Sequence, residues 1–201
     1  MGVQSTIKNQ DDCLAINKGS NIVFQGNTCS GGHGISIGSV ASGATVSGIV
    51  ISGNTIVNND QALRIKTDSD ATSASVTNVT YSGNTATGMR QFGILIDQSY
   101  PDTLGTPGTG VKISGINFSG SKTSISVNSG AQRVAVNCGK GACTGLYLDL
   151  PLAFAYTIGV ILGANARRLC FVGTWDWSEL SVTGGSAGEI VNFSGIENFS
   201  Q

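Results

Sequence analysis

The stretch "ISGNTIVNNDQALRIKT" spans residues 51–67. It carries a Gly-Asn-Thr turn and then a short alternating strand, "ALRIKT" (62–67). The same pair recurs along the chain. "FQGNT" (24–28) precedes "GISIGS" (34–39), and "YSGNT" (81–85) precedes "GILIDQ" (93–98). "FSGSK" (118–122) is a degraded turn ahead of "SISVNS" (124–129), and "CLAINK" (13–18) is the strand of one earlier unit. Ile16, Ile37, Ile65, Ile96 and Val127 mark the equivalent position, at separations of 21 to 31 residues.

One such unit cannot bury its own apolar face, whereas stacked copies build a continuous core. Leucine-rich horseshoes are excluded because LxxLxL is missing, and helical solenoids because helical periodicity is absent. A β-sandwich would require turn and strand to recur together by coincidence. The expected fold is therefore all-β, a parallel β-helix. The Asn of each GNT is expected to occupy the turn in the left-handed conformation, with successive Asn side chains satisfying one another.

Composition narrows the function classes. At 201 residues the chain is expected to form a single domain, residues 1–201. Charged residues make up 11%, against about 25% in typical globular domains. Net charge is −1 and there is no basic stripe with interleaved aromatics, so no nucleic acid is expected as partner. The five cysteines form no CxxC pair and there is one histidine, which argues against zinc. An odd cysteine count leaves at least one thiol without an intrachain partner. The start, "MGVQSTIKNQ", has no apolar core of a signal peptide and falls short of a myristoylation pattern.

Stacking brings distant residues together, about 4.8 Å apart per coil. Aligning Leu14/Ile16 with Ile35/Ile37, Leu63/Ile65 and Ile94/Ile96 as inward pairs leaves Cys13/Ala15, Gly34/Ser36, Arg64/Lys66 and Leu95/Asp97 outward. Asp12 then shares a register with His33. One face gathers Asp11, Asp12, His33, Arg64, Lys66 and Tyr100, provided that a bend turns Asp12 and His33 out of their inward parity. Taken singly, an Asp pair, a His between glycines and an "RIK" are ordinary turn and surface residues. Together, two neighbouring carboxylates separate an acid from a base, and the Arg–Lys pair holds an anionic group. An acidic polysaccharide is the expected ligand.

"NQDDCLAI", "SGGHGISIGS", "LRIKT" and "FGILIDQSY" resemble, in order and spacing, the signatures of fungal polygalacturonases, glycoside hydrolase family 28. "NCGKGAC" and "WDWSELSVTGG" resemble that family's C-terminal segments. The likeness covers nearly all of the chain outside 146–173. It implies a secreted, right-handed parallel β-helix that hydrolyses α-1,4-galacturonan with inversion, acting as a monomer on polygalacturonate (pectin) with no cofactor and no metal. Asp11 resembles the acid that protonates the leaving oxygen, and Asp12 one of the carboxylates that activate water. His33 resembles the residue that supports acid and sugar, Arg64 and Lys66 the binders of galacturonate carboxylates, and Tyr100 a substrate-binding phenol. The resemblance also implies disulfides Cys13–Cys29 and Cys138–Cys143.

Two departures stand out. A third family Asp, in an Asn-Thr-Asp motif one coil before the DD, has no counterpart here, so the chain is expected to be N-terminally truncated and to have little or no activity. Residues 146–173 fit no repeat; their apolar run is short and interrupted by Asp149 and Pro151, so no membrane span is expected. A retained intron is the preferred reading, because excision joins "CTG" to "TWDWS" and removes Cys170. Sequons at Asn78, Asn117, Asn192 and Asn198 accord with secretion. The lack of long strand-loop insertions favours endo action. Alternatives of another class are a non-catalytic pectin-binding β-helix and an adhesin-like one.

Overall fold

The computed structural model describes residues 2–145, 147–150, 169–172 and 174–201. Its strands follow one another in coils, and the coils stack into three parallel faces. The first face runs through Gly2–Val3, Gly19–Gln25, Thr45–Ser52, Ala74–Ser82, Val111–Phe118 and Cys143–Thr144. The second runs through Thr6–Lys8, Thr28–Ser30, Thr55–Val57 and Thr85–Met89, and ends on Leu180–Ser186. The third, which carries the residues of interest, runs through Asp12–Ile16, Gly34–Val40, Gln61–Asp68 and Phe92–Tyr100, and ends on Ile190–Val191. The 15-residue strand Thr123–Asn137 passes through the second and third faces without a break, joining them into one sheet of 11 strands.

The expected register holds on the third face. Leu14 and Ile16 lie beside Ile35 and Ile37, then Leu63 and Ile65, then Ile94 and Ile96. Next come Val134 and Val136, not Val127. Val127 belongs to the second face, where "SISVNS" lies beside Thr85–Met89. With no turn between the two faces in this coil, the first alternating run after the Gly-Ser corner lies one face earlier than the repeat predicts. Ile35, Ile37, Leu63, Ile65, Ile94 and Ile96 are all buried in the common core.

At the corner between the first two faces the Asn residues form a buried ladder. The Asn54 Oδ1 accepts from the Asn27 main-chain N–H at 2.9 Å and from its Nδ2 at 3.2 Å. The Asn84 Oδ1 does the same for Asn54, at 3.1 and 3.0 Å. The Asn84 N–H ends the series on the Thr123 hydroxyl at 3.3 Å, where the degraded repeat has no Asn. The left-handed residue of each turn is the glycine: φ is +69° at Gly26, +59° at Gly53 and +62° at Gly83. The Asn residues therefore do not adopt that conformation. Glycine takes the left-handed region without steric cost and leaves the Asn side chain free to point inward.

At the C-terminal end, rings continue the stack. Tyr81 stacks on Phe118 at 4.9 Å, Phe118 meets Trp177 edge-on at 5.2 Å, and Trp177 meets Phe199 at 5.6 Å. Val111–Phe118 is flanked by two separate pieces of chain. Cys143 and Thr144 pair with Ile113 and Ser114. Farther along, the Trp177 indole donates to the Ile116 carbonyl at 2.9 Å and the Asp176 N–H to the Asn117 Oδ1 at 2.9 Å. Between these pieces, Tyr147–Leu150 and Leu169–Val172 pair antiparallel, unlike the parallel coils. The remainder of the 146–173 stretch lies outside the described residues.

Replacing Asn54 by Ala removes the acceptor of the buried Asn27 N–H and the side-chain donor to the Phe24 carbonyl and the Asn84 Oδ1. Equilibrium urea unfolding should show a loss of about 2–4 kcal/mol, whereas Ala at exposed Thr55 should cost less than about 1 kcal/mol.

Candidate active site

The site is built where four coils present the starts of their third-face strands. Asp12 pairs with Gly34, but Leu14 pairs with Ile35, so Cys13 is an extra residue in a bulge. This bulge is the bend that reverses the parity of Asp12. The register differs by one from that read from the sequence: Asp12 lies opposite Gly34, not His33. Cys13 does not face outward either. It packs on the core and is bonded to fully buried Cys29, with a Cα–Cα separation of 5.7 Å. The bridge pins the bulge to the next coil. Cys138 and Cys143 form a second bridge.

His33 reaches the same place through its loop. Its N–H donates to the Asp11 carbonyl at 2.9 Å. Gly32 and Gly34 let the backbone pass between two coils: a Cβ at Gly32 would lie 2.0 Å from the Asp11 oxygen, and one at Gly34 would lie 2.1 Å from the Gln61 oxygen. The Oδ1 of buried Asn59 accepts from the Gly32 and Gly34 N–H groups at 3.0 and 3.1 Å. The His33 Nδ1 then lies 3.2 Å from the Asp11 Oδ1.

Asp12 sits at the centre of a tight charge cluster. Its Oδ1 accepts from the Arg64 Nη2 at 2.6 Å and from the Ser36 hydroxyl at 2.7 Å. Its Oδ2 lies 2.9 Å from the Lys66 Nζ. The Arg64 Nε also donates to the Ser36 hydroxyl at 3.1 Å. Lys66 lies over the Tyr100 ring, 5.2 Å from its centroid. Burial by itself would push the Asp12 carboxyl up. The Ser36 hydroxyl, Lys66 and Arg64 outweigh that and hold it below the ordinary carboxylate value. Asp11 is much more open: its side chain is 77% exposed, against 8% for Asp12. Two adjacent carboxylates thus occupy different environments.

All six residues singled out from the sequence meet on this face. Ser36, Asn59, Asp60 and Arg90 were missed. The Asp60 Oδ2 lies 3.6 Å from the His33 Nε2, and its Oδ1 accepts from the Arg90 Nε at 2.7 Å. The missed signal was positional. Asp11, His33, Asp60 and Arg90 each fall one or two residues before a third-face strand, so extending the register backwards stacks them. Strand alternation predicts Asp97 on the open face, but it is buried. Its carboxylate accepts from the Ser99 N–H, the Leu104 N–H and the Asn137 side-chain amide at 3.0, 2.8 and 2.9 Å, so it organises the loop after Tyr100. Asp11, Asp12 and His33 lie close enough to resemble a metal triad. The two cations already on Asp12 make it a poor one.

A parallel β-helix with paired carboxylates, an imidazole and an anion-holding cation pair on one face has the build of a polysaccharide-directed glycoside hydrolase. The model of the glycosyl hydrolases family 28 matches residues 3–150, and the chain belongs to that family. It is 38% identical over 183 residues to endopolygalacturonase I of Aspergillus aculeatus, across 90% of this chain and 40% of that protein. It is 44% identical over 144 residues to a probable endopolygalacturonase A of Aspergillus kawachii, across 70% of this chain and 38% of that protein. The solved structure of endopolygalacturonase I from Stereum purpureum, complexed with two galacturonate, matches with a TM-score of 0.75 and 47% identity. That match covers 92% of this chain and 48% of the Stereum chain. The fold shared with it is the right-handed parallel β-helix. The chain spans about 40% of the length of the curated relatives it matches.

Folded Asp12 binds a proton less readily than the unfolded chain does. The stability it contributes is therefore present above about pH 3.9 and is lost as pH falls through its lower folded value. Asp12→Asn leaves Arg64 and Lys66 without their counter-ion and should cost about 2–4 kcal/mol at pH 6. Denaturation midpoints of wild type and variant should converge as pH falls through that lower folded value.

Proposed function

We propose that this site hydrolyses α-1,4-galacturonosyl linkages of polygalacturonan with inversion, in endo fashion. The observation that carries the reading is the clustering of Asp11, Asp12, His33, Arg64, Lys66 and Tyr100. Asp11, exposed and beside His33, gives its proton to the leaving glycosidic oxygen. Asp12, held ionised, takes a proton from the water that attacks the anomeric carbon. Solvent then returns a proton to Asp11 and removes one from Asp12. Arg64 and Lys66 carry two positive charges against the single charge of Asp12. The surplus matches one galacturonate carboxylate, with the Tyr100 ring beside it.

This reading makes the protein a secreted, extracellular monomer acting on pectin, with no metal, membrane or nucleic acid involved. Among the described residues no helix is long and apolar enough to cross a membrane. Asn78, Asn192 and Asn198 are exposed, as glycan acceptors must be.

The purified chain should bind polygalacturonate with an affinity that falls as salt rises, and Arg64→Gln with Lys66→Met should abolish binding. Release of reducing ends should be slow, in keeping with the expectation of little activity, and Asp11→Asn should lower it by about a further 10²-fold or more. Binding without any release would instead support a non-catalytic pectin-binding role. No binding at all would remove both readings.

The chain forms one β-helical domain over residues 1–201, with 146–173 as a removable insertion, on this proposal. Its support is that Cys143–Thr144 and Trp175–Trp177 flank successive parts of the same strand, Val111–Phe118. A variant that joins Gly145 to Thr174 should keep its far-UV spectrum and both disulfides. A message that always contains these codons would sink the retained-intron reading.

A further inference from the structure

Asp11 can act as an acid only if the His33 ring nitrogen facing it leaves the Asp11 proton in place. A neutral imidazole has one N–H and one lone pair, and the partner of one nitrogen decides the state of the other. The Nδ1 faces Asp11 at 3.2 Å, and the Nε2 faces Asp60 at 3.6 Å. The second contact is longer than a hydrogen bond, as catalytic contacts often are without substrate.

Asp60 is held on three sides. Its Oδ1 accepts from the Arg90 Nε at 2.7 Å. Its N–H donates to the Gly32 carbonyl at 2.9 Å, within the His33 loop. Its carbonyl accepts from the Gln91 and Phe92 N–H groups at 2.9 and 3.0 Å. Arg90 is also immobilised: its Nη1 donates to the Asn58 carbonyl, and its Nη2 reaches the Gly31 and Gly32 carbonyls at 3.3 and 3.4 Å. One guanidinium therefore braces both the carboxylate and the loop that carries the imidazole. The Asp60 side chain is 18% exposed.

We propose that Asp60, clamped by Arg90, is a positioning residue that keeps the His33 proton on Nε2. An ionised Asp60 is acceptor-only, so it requires a donor at Nε2. The Nδ1 lone pair then accepts the O–H of protonated Asp11. When Asp11 releases its proton to the leaving oxygen, the ring is unchanged and still aligned to hold the replacement proton. The opposite tautomer would place N–H against Asp11, favour its carboxylate and oppose acid catalysis. The catalytic part of this inference rests on the hydrolytic reading; the proton's place on the ring does not.

The test is Asp60→Asn. The Arg90 Nε–H retains the amide oxygen of the new residue, which turns the amide NH₂ toward Nε2. An NH₂ group demands a lone pair there, so the proton should move to Nδ1. His33 is the only histidine of the chain, so its ring ¹⁵N resonances are unambiguous. The wild type should show protonation at Nε2 and Asp60→Asn at Nδ1, while Asp60→Glu should restore the wild-type pattern. If the chain releases reducing ends, Asp60→Asn should lower kcat by about 10²-fold and leave KM within about twofold. The same ring pattern in wild type and in a folded Asp60→Asn variant would overturn the proposal, as would a loss confined to KM. If Asp60→Asn does not fold, Arg90→Lys decides: its Nε2–H signal should broaden into exchange, and an unchanged signal overturns the clamp. Absence of hydrolysis would count against the hydrolytic reading while the NMR result still decides the tautomer.

Discussion

The structure depends on registration between coils, and the buried Asn27–Asn54–Asn84 ladder is the interaction that enforces it. Each amide oxygen accepts the main-chain N–H of the preceding rung. A slip of one residue would strand these groups in the core, where an unpaired N–H or C=O costs about 1–3 kcal/mol. It would also turn every third-face side chain to the opposite surface. Arg64 and Lys66 reach Asp12 across sequence separations of 52 and 54 residues, and only faithful stacking allows this.

Within that frame a local irregularity does the chemical sorting. The extra residue Cys13 breaks the alternation at one point, and the bridge to Cys29 anchors the break. Asp11 is thereby left open beside an imidazole, while Asp12 is drawn under two cations. The separation of two adjacent carboxylates into unlike environments comes from backbone geometry first and from electrostatics second.

Much of this was legible in the sequence because stacked strands share one period. The inward pairs from Leu14/Ile16 to Ile94/Ile96 could be written down from alternation alone, and Arg64 and Lys66 followed as their outward neighbours. What could not be read was whatever broke the period. The bulge at Cys13 shifts Asp12 by one register and turns Cys13 inward, and no composition signal marks it. The uninterrupted strand Thr123–Asn137 put Val127 on a different face from Ile96. The roles within the turns were exchanged, because Gly took the left-handed position and freed Asn for the ladder. Asp60 ends the polar run "NND" (58–60) and Arg90 lies in "GMRQFG" (88–93), both of which read as connections between strands, yet the stack that held His33 also held them. Asp97 looked exposed until the loop after Tyr100 folded over it.

The ring column at the C-terminal end has a separate optical consequence. Both tryptophans of the chain, Trp175 and Trp177, are completely buried there, within 6.3 Å of one another. Indole emission therefore samples only the last turn of the solenoid. Unzipping that starts from the Asp11 end would be silent to it until the front arrived, so a fluorescence trace would time the far terminus rather than the cleft.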